Sequence, residues 1–173
     1  PSFVVLDGAR PDEAGGGFWR RMERTLQPSA EVFDPKDAKR AIDQLYKELQ
    51  RRIETDDDAA PSTFLVIHNL ARFRDLQKSE DDFGFSNFGE EDNVSSGKQF
   101  EEILREGPNR GIHSLIWCDS YNNVNRWFDR KALRDLEFRV LFQVSSSDSS
   151  NLIDSPIASN LGVNRPLIQG RPR

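Results

Sequence analysis

Two kinds of apolar spacing divide the chain. Phe3-Val4-Val5-Leu6 and Phe64-Leu65-Val66-Ile67 are short unbroken runs that close on polar pairs, Asp7-Gly8 and His68-Asn69. Runs of this kind predict strands buried on both faces, as in a parallel sheet. Ile112 to Cys118 and Phe138 to Val144 predict a third and a fourth strand, and Pro166 to Gln169 a last short one. Helical spacing fills the intervals. Ala38, Ile42, Leu45, Leu49 and Ile53 recur on one stripe, which predicts a helix over 35–54 with Asp34 as N-cap and Pro35 at its first position. Phe18 to Leu26 predicts a short helix with Phe18, Met22 and Leu26 on one face. Ser96-Gly97-Lys98-Gln99 has capping-box spacing and opens a helix with Phe100, Ile103 and Leu104 inward, stopped by Gly107-Pro108. Arg126 to Leu136 reads as helical in part, and Ser145 to Ser150 as a turn capping a helix from about Asn151.

Strands alternating with helices imply an α/β fold: a mostly parallel sheet with helices on both faces, in a single domain over 1–173. Three loops interrupt it: Pro11 to Gly17 with its run Gly15-Gly16-Gly17, the acidic Thr55 to Pro61, and an acidic excursion over 78–94 with three phenylalanines. The opening Pro1-Ser2 runs straight into a strand, which reads as a fragment of something longer.

A chain of 173 residues can bury a real core, and 36% apolar with 31% charged residues suits a polar surface. No apolar stretch approaches the roughly 20 residues that span a bilayer, and no signal-peptide pattern is visible. A lone cysteine, Cys118, excludes an intramolecular disulfide and argues for a reducing compartment. Two histidines and one cysteine without ligand-type spacing offer no metal cluster. The net charge of −5, concentrated in Asp56-Asp57-Asp58, Glu80-Asp81-Asp82 and Glu90-Glu91-Asp92, disfavours a general nucleic-acid surface.

The carboxyl ends of parallel strands form the ligand crevice, so the strand ends carry the candidate chemistry. A nucleotide hydrolase places acids there to hold Mg²⁺ and orient water, whereas this chain has His68 and Asn69. Imidazole does not replace a carboxylate on Mg²⁺, and an amide is no general base. The pair either contributes to a site or simply terminates a strand. Asp119, after Cys118, either orients a ligand or caps the following turn, and Cys118 reads as a small buried residue. His113 reads as packed or hydrogen-bonded. Trp117, Trp127 and Phe128 read as core residues or a partner surface, with core the default. Arg51-Arg52 and the tail Arg171-Pro172-Arg173 read as solvated. The phosphate loop Gly-x-x-x-x-Gly-Lys-[Ser/Thr] does not occur, and Gly97-Lys98 reads as a helix start. No Ser/His/Asp spacing stands out.

Several segments in order resemble the motor domain of FtsK/SpoIIIE-type translocases, in the HerA-FtsK branch of P-loop (RecA-like) ATPases. Arg110-Gly111-Ile112-His113-Ser114-Leu115-Ile116 resembles the family's Gly-Ile-His strand. Phe138 to Ser149 resembles the strand and Val-Ser-Ser-x-x-Asp-Ser turn that follow it. Leu152-Ile153-Asp154-Ser155-Pro156-Ile157-Ala158 and Leu161-Gly162 are similar to the next helix and its Leu-Gly. Phe3 to Asp7 resembles the strand after the phosphate-loop helix, so the resemblance covers nearly the whole chain and implies a fold truncated on its N-terminal side.

The departures from the family pattern carry the functional expectation. The family's Walker B strand ends in Asp-Glu, for Mg²⁺ and the attacking water; His68 and Asn69 stand there. Its next strand ends in a γ-phosphate-sensing glutamine, replaced by Ser120 within Cys118-Asp119-Ser120-Tyr121-Asn122. With the phosphate loop also absent, the resemblance implies no catalytic residues and no hydrolysis by the isolated chain. It implies a degenerate ATPase-like module serving assembly or regulation in a multidomain, cytoplasmic and membrane-anchored parent. That parent takes ATP and Mg²⁺, and translocates DNA, as in cell division and chromosome segregation, or secreted protein, as in type VII secretion. The implied partners are neighbouring ATPase domains and further copies, through the aromatics of 83–88 and Trp127. The alternatives are an ATP-binding half of a working motor with its phosphate loop upstream, and a peptide- or protein-binding module.

Overall fold

The computed structural model describes residues 1–10, 12, 16–26, 29–57, 59–77 and 94–170. They form two compact units, Pro1–Trp127 and Phe128–Arg173.

The first unit is built on a wholly parallel sheet in the order β2-β1-β3-β4: β1 Ser2–Asp7, β2 Ala30–Phe33, β3 Thr63–His68 and β4 Ile112–Ile116. The apolar runs at 3–6 and 64–67 are the two central strands, as their lack of alternation requires. Register places Val5 beside Val32 and Val66, and these three form one buried cluster. Trp19 of helix α1, Phe18–Leu26, packs on that cluster. Phe18 is 45% exposed, so the packed side of α1 is the one carrying Trp19, not the expected Phe18 face.

On the opposite face lie α2, Ala38–Thr55, and α3, Ser96–Glu106, which pack on each other; Val4 and Glu31 share a hollow with Ala41, Leu45 and Arg52 of α2. Leu6, Leu65 and Ile67 are fully buried. The long helix starts later than expected. Pro35–Asp37 form a 3-10 turn, and Asp34 makes no side-chain cap. The cap of α3 is Ser95, whose side chain accepts from the Lys98 amide, one residue before the expected Ser96. Gln99 instead donates to Asp43 Oδ1 at 3.4 Å.

Arg52 overturns the expectation of a solvated Arg51-Arg52 pair. Its side chain is 3% exposed and donates to Glu48 Oε1 at 2.8 Å, the Arg110 carbonyl at 2.8 Å, the Pro61 carbonyl at 3.1 Å and Thr63 Oγ1 at 3.0 Å. One guanidinium thus ties α2 to the start of β3 and to the turn before β4. Arg51 stays exposed and clamps Glu48 from outside. Arg51 first, then Arg52, hold the Glu48 carboxyl down at about 2.

Helix α4, Tyr121–Trp127, closes this unit, and Trp127 Nε1 donates to the Phe73 carbonyl at 3.3 Å. In the second unit, after the single turn α5, Ala132–Asp135, β5 (Phe138–Leu141) pairs antiparallel with β6 (Leu167–Gly170). Helix α6, Ser146–Ile153, starts earlier than the expected Asn151 and takes in most of the serine tract expected to cap it; Ser145 caps it by accepting from the Asp148 amide. Leu141, Ile153 and Ala158 form its core. Ser149 is fully buried, donating to the Ser155 carbonyl and accepting from the Ala158 amide at 3.1 Å. No helix among the described residues is long and apolar enough to cross a membrane. Most of the 78–94 excursion, including the 83–88 aromatics, lies outside the described residues, as does the Arg171–Arg173 tail.

Candidate functional site at the carboxyl edge of the sheet

Parallel register brings the ends of β1, β3 and β4 together. Asp7 is the register partner of His68, and its Oδ1 lies 3.2 Å from His68 Nδ1. Asp7 Oδ1 also accepts from the Ala9 amide at 3.0 Å, and the residue is buried. A carboxylate facing Nδ1 accepts a hydrogen bond from that ring nitrogen and fixes the orientation of the imidazole. The imidazole lies 5.1 Å from the ring of Trp117 and 6.4 Å from that of Trp19. Trp117 is 47% exposed, so the expectation of a core tryptophan fails; it flanks the histidine instead.

Backbone hydrogen bonds close this edge. The Gly8 amide donates to the His68 carbonyl at 2.9 Å, the Trp117 amide to the Ile67 carbonyl at 2.8 Å and the Leu70 amide to the Trp117 carbonyl at 3.1 Å. A Cβ on Gly8 would lie 2.6 Å from the His68 oxygen and 2.9 Å from that of Asn69, so only glycine allows the approach. Asn69 takes the left-handed conformation, φ 63°, and turns the chain into the 3-10 turn Leu70–Arg72. Its amide reaches the Gly8 carbonyl at 3.5 Å.

The Cys118-Asp119-Ser120 stretch caps α4. Ser120 Oγ accepts from the Asn123 amide at 3.3 Å, while Asp119 Oδ1 accepts from Asn123 Nδ2 at 2.7 Å and from Ser120 Oγ at 3.2 Å. The residue that caps the turn is Ser120; Asp119, for which capping is the expected structural role, bonds the side chains of Ser120 and Asn123 instead. Cys118 is half-buried rather than buried, and burial pushes its thiol up, away from thiolate chemistry. His113 is exposed, with its ring against Phe64 at 5.4 Å.

The described residues at this edge do not fit a magnesium ion. His68 and Asn69 offer no hard carboxylate, Asp7 is engaged by His68 and the Ala9 amide, and Ser120 is a helix cap. No group of three or more His, Cys, Asp or Glu among the described residues is placed to hold a metal ion. Sequence reasoning found His68 and Asn69 but missed Asp7, and placed neither Trp19 nor Trp117 beside the histidine. The one available signal was Asp7-Gly8 closing a strand that had to run beside the His68 strand.

Neither family models nor curated proteins match the sequence. Solved structures do. EccC from Thermomonospora curvata (ATPases 2 and 3, in complex with a signal sequence peptide) matches with a TM-score of 0.62 at 16% identity over 95% of this chain. The cytoplasmic domain of the type VII secretion ATPase EccC from the same organism matches with a TM-score of 0.59 at 17% identity over 99% of this chain. The fold is that of an EccC ATPase domain. The chain spans only 29% and 20% of the two EccC chains. The α/β architecture expected from the sequence is the one observed.

Proposed function

We propose that this chain is a non-hydrolysing, ATPase-like module of an FtsK/SpoIIIE-type secretion ATPase, acting in assembly or regulation of the motor. The observation that supports this reading is the Asp7–His68 pair. Where the family pattern puts two acids, this chain pairs a histidine with the neighbouring strand's carboxylate between two indoles. Phosphoryl transfer rests on positioning and charge neutralisation, and the strand end that carries the family's two acids here offers an imidazole and an amide in place of a carboxylate ligand for magnesium. The module's partners are the neighbouring ATPase domains of its parent and, through them, a secreted protein; the signal peptide bound to EccC makes protein rather than DNA the favoured cargo. The parent works at the cytoplasmic side of a membrane.

Titration calorimetry of ATP with Mg²⁺ into the chain tests the reading, together with turnover by neighbouring ATPase domains in its presence and absence. Silence with nucleotide and a changed turnover by the neighbours is the expected result. Nucleotide binding accompanied by hydrolysis in the chain alone would overturn it.

A further inference from the structure

The helices on the two faces of the parallel sheet are held very differently. Helix α2 buries Ala38, Ala41, Ile42, Leu45, Leu49 and Arg52. Helix α1 has nine residues, and none of its described side chains is buried. A helix shorter than about 12–15 residues is marginal in water without such packing. One indole and one pair of polar side chains hold it. Trp19 packs, with Phe3, on the Val5-Val32-Val66 cluster.

The polar contacts fall on a single residue of β2. In a parallel pair, residues alternate between bonding the neighbouring strand and turning both backbone groups away from it. The Phe3 amide donates to the Ser29 carbonyl, so Val32 turns its N–H and C=O outward from β2. The Val32 amide donates to Glu23 Oε1 at 2.9 Å, and its carbonyl accepts from Arg20 Nη1 at 2.7 Å. Side chains of α1 thus stand where a further strand would bond. Asp34 meets Arg20 at 3.2 Å, but the two side chains are 50% and 43% exposed, so this ion pair adds little. Residues 19, 20 and 23 lie on one side of the helix, so their contacts form and break together. Gly16 and Gly17 precede the helix, and Gly17 sits at φ 71°, so the chain enters α1 through residues of wide conformational freedom.

We propose that α1 is a detachable strap. It undocks as one piece from a sheet that stays folded. Undocking bares the Val5-Val32-Val66 cluster and the two outward backbone groups of Val32, and it withdraws Trp19, whose ring lies 6.4 Å from that of His68. Docked, α1 guards the β2 edge and walls one side of the histidine; undocked, it leaves both open. The strap stands whether or not the chain binds nucleotide, so either proposal can fail alone.

Native-state amide exchange of the whole chain tests this, with Val32 as the reporter and Val66 of the central strand β3 as the reference. Val32 is expected to exchange at least about tenfold faster than Val66 and to be insensitive to low urea, because its opening exposes little surface. Trp19→Ala touches neither bond to Val32, yet should speed exchange of that amide about tenfold and leave Val66 unchanged. Trp19→Phe should recover most of the protection. Arg20→Ala removes the bond to the Val32 carbonyl and leaves Glu23 in place, and should speed the Val32 amide about fivefold. Arg21→Ala, which loses a contact to the Gly16 carbonyl on the exposed side, is the control that leaves Val32 unmoved. Exchange of Val32 no faster than that of Val66, or equal acceleration of both by Trp19→Ala, would mean that α1 opens only with the whole unit and would overturn the proposal. A Val32 amide indifferent to Trp19→Ala and Arg20→Ala would overturn it too, since that amide would then open by rotation of Glu23 alone.

Discussion

Replacing Arg52 by alanine tests the packing of the first unit most directly. The guanidinium serves four acceptors, and their fates on truncation differ. Glu48 keeps Arg51 and is about one-third exposed, so little is lost there. The Arg110 and Pro61 carbonyls and Thr63 Oγ1 lose a charged donor, although Thr63 Oγ1 remains within 3.0 Å of Ser2 Oγ. At about 1 kcal/mol for each lost bond, Arg52→Ala costs about 3 kcal/mol, a large part of the roughly 5–15 kcal/mol that holds a domain folded. Urea unfolding followed by tryptophan fluorescence measures it, with Arg51→Ala, which removes only exposed contacts to Glu48 and Asp57, as the control that shifts the midpoint less. Arg52→Lys should recover less than half, because one ammonium cannot span acceptors on α2, β3 and the turn before β4. A loss below about 1 kcal/mol for Arg52→Ala, or full recovery with lysine, would refute the view that a single guanidinium fastens these three elements.

Two other outcomes follow from the geometry. Gly8→Ala forces a methyl against two backbone oxygens at 2.6 and 2.9 Å and should cost about 1–3 kcal/mol in the same unfolding assay, with His68 displaced from Asp7 in the imidazole NMR signals. Glu48, held down at about 2, contributes stability that is present above the ordinary carboxyl range and is lost as pH falls from about 4.5 towards 2; Glu48→Gln should flatten the acid limb of a thermal-unfolding profile in that window.

The buried strands were legible because a sheet covered on both faces demands uninterrupted apolar runs, and 3–6 and 64–67 supply them. β2 was missed for the converse reason. Ala30-Glu31-Val32-Phe33 is short and carries an acid, and its strand character comes from pairing with β1 and from side chains of α1. Arg52 was hidden by its charge, although it continues the stripe Ala38, Ala41, Ile42, Leu45, Leu49 at helical spacing; Ile53, the expected member, is only partly buried. The α6 serines mislead because serine favours turns as well as caps, and here Ser149 finds its partners inside a helix. At the candidate site, His68 and Asn69 could be read from one strand end. Asp7 could not, because its partner lies 61 residues away and only the register joins them.

That register also explains what a histidine does at position 68. Asp7 and residue 68 are neighbours on adjacent strands with polar atoms 3.2 Å apart. His68→Asp would set two carboxylates side by side at a buried strand end. Two like charges about 4 Å apart repel by roughly 4 kcal/mol at an effective dielectric of 20, so one carboxyl is forced to keep its proton and its folded-state pKa rises above the unfolded value. The sign then runs opposite to that for Glu48. The variant is stable below the unfolded carboxyl pKa and loses stability as pH rises through the raised one. Millimolar Mg²⁺, by bridging the two acids, should restore part of the loss at neutral pH. His68→Asn removes the pair without adding charge and should show neither the slope nor the magnesium response. A flat urea midpoint for His68→Asp between pH 4 and 7 would refute the argument. The expected slope would mean that histidine lets this sheet edge close without the cation that a pair of acids would require.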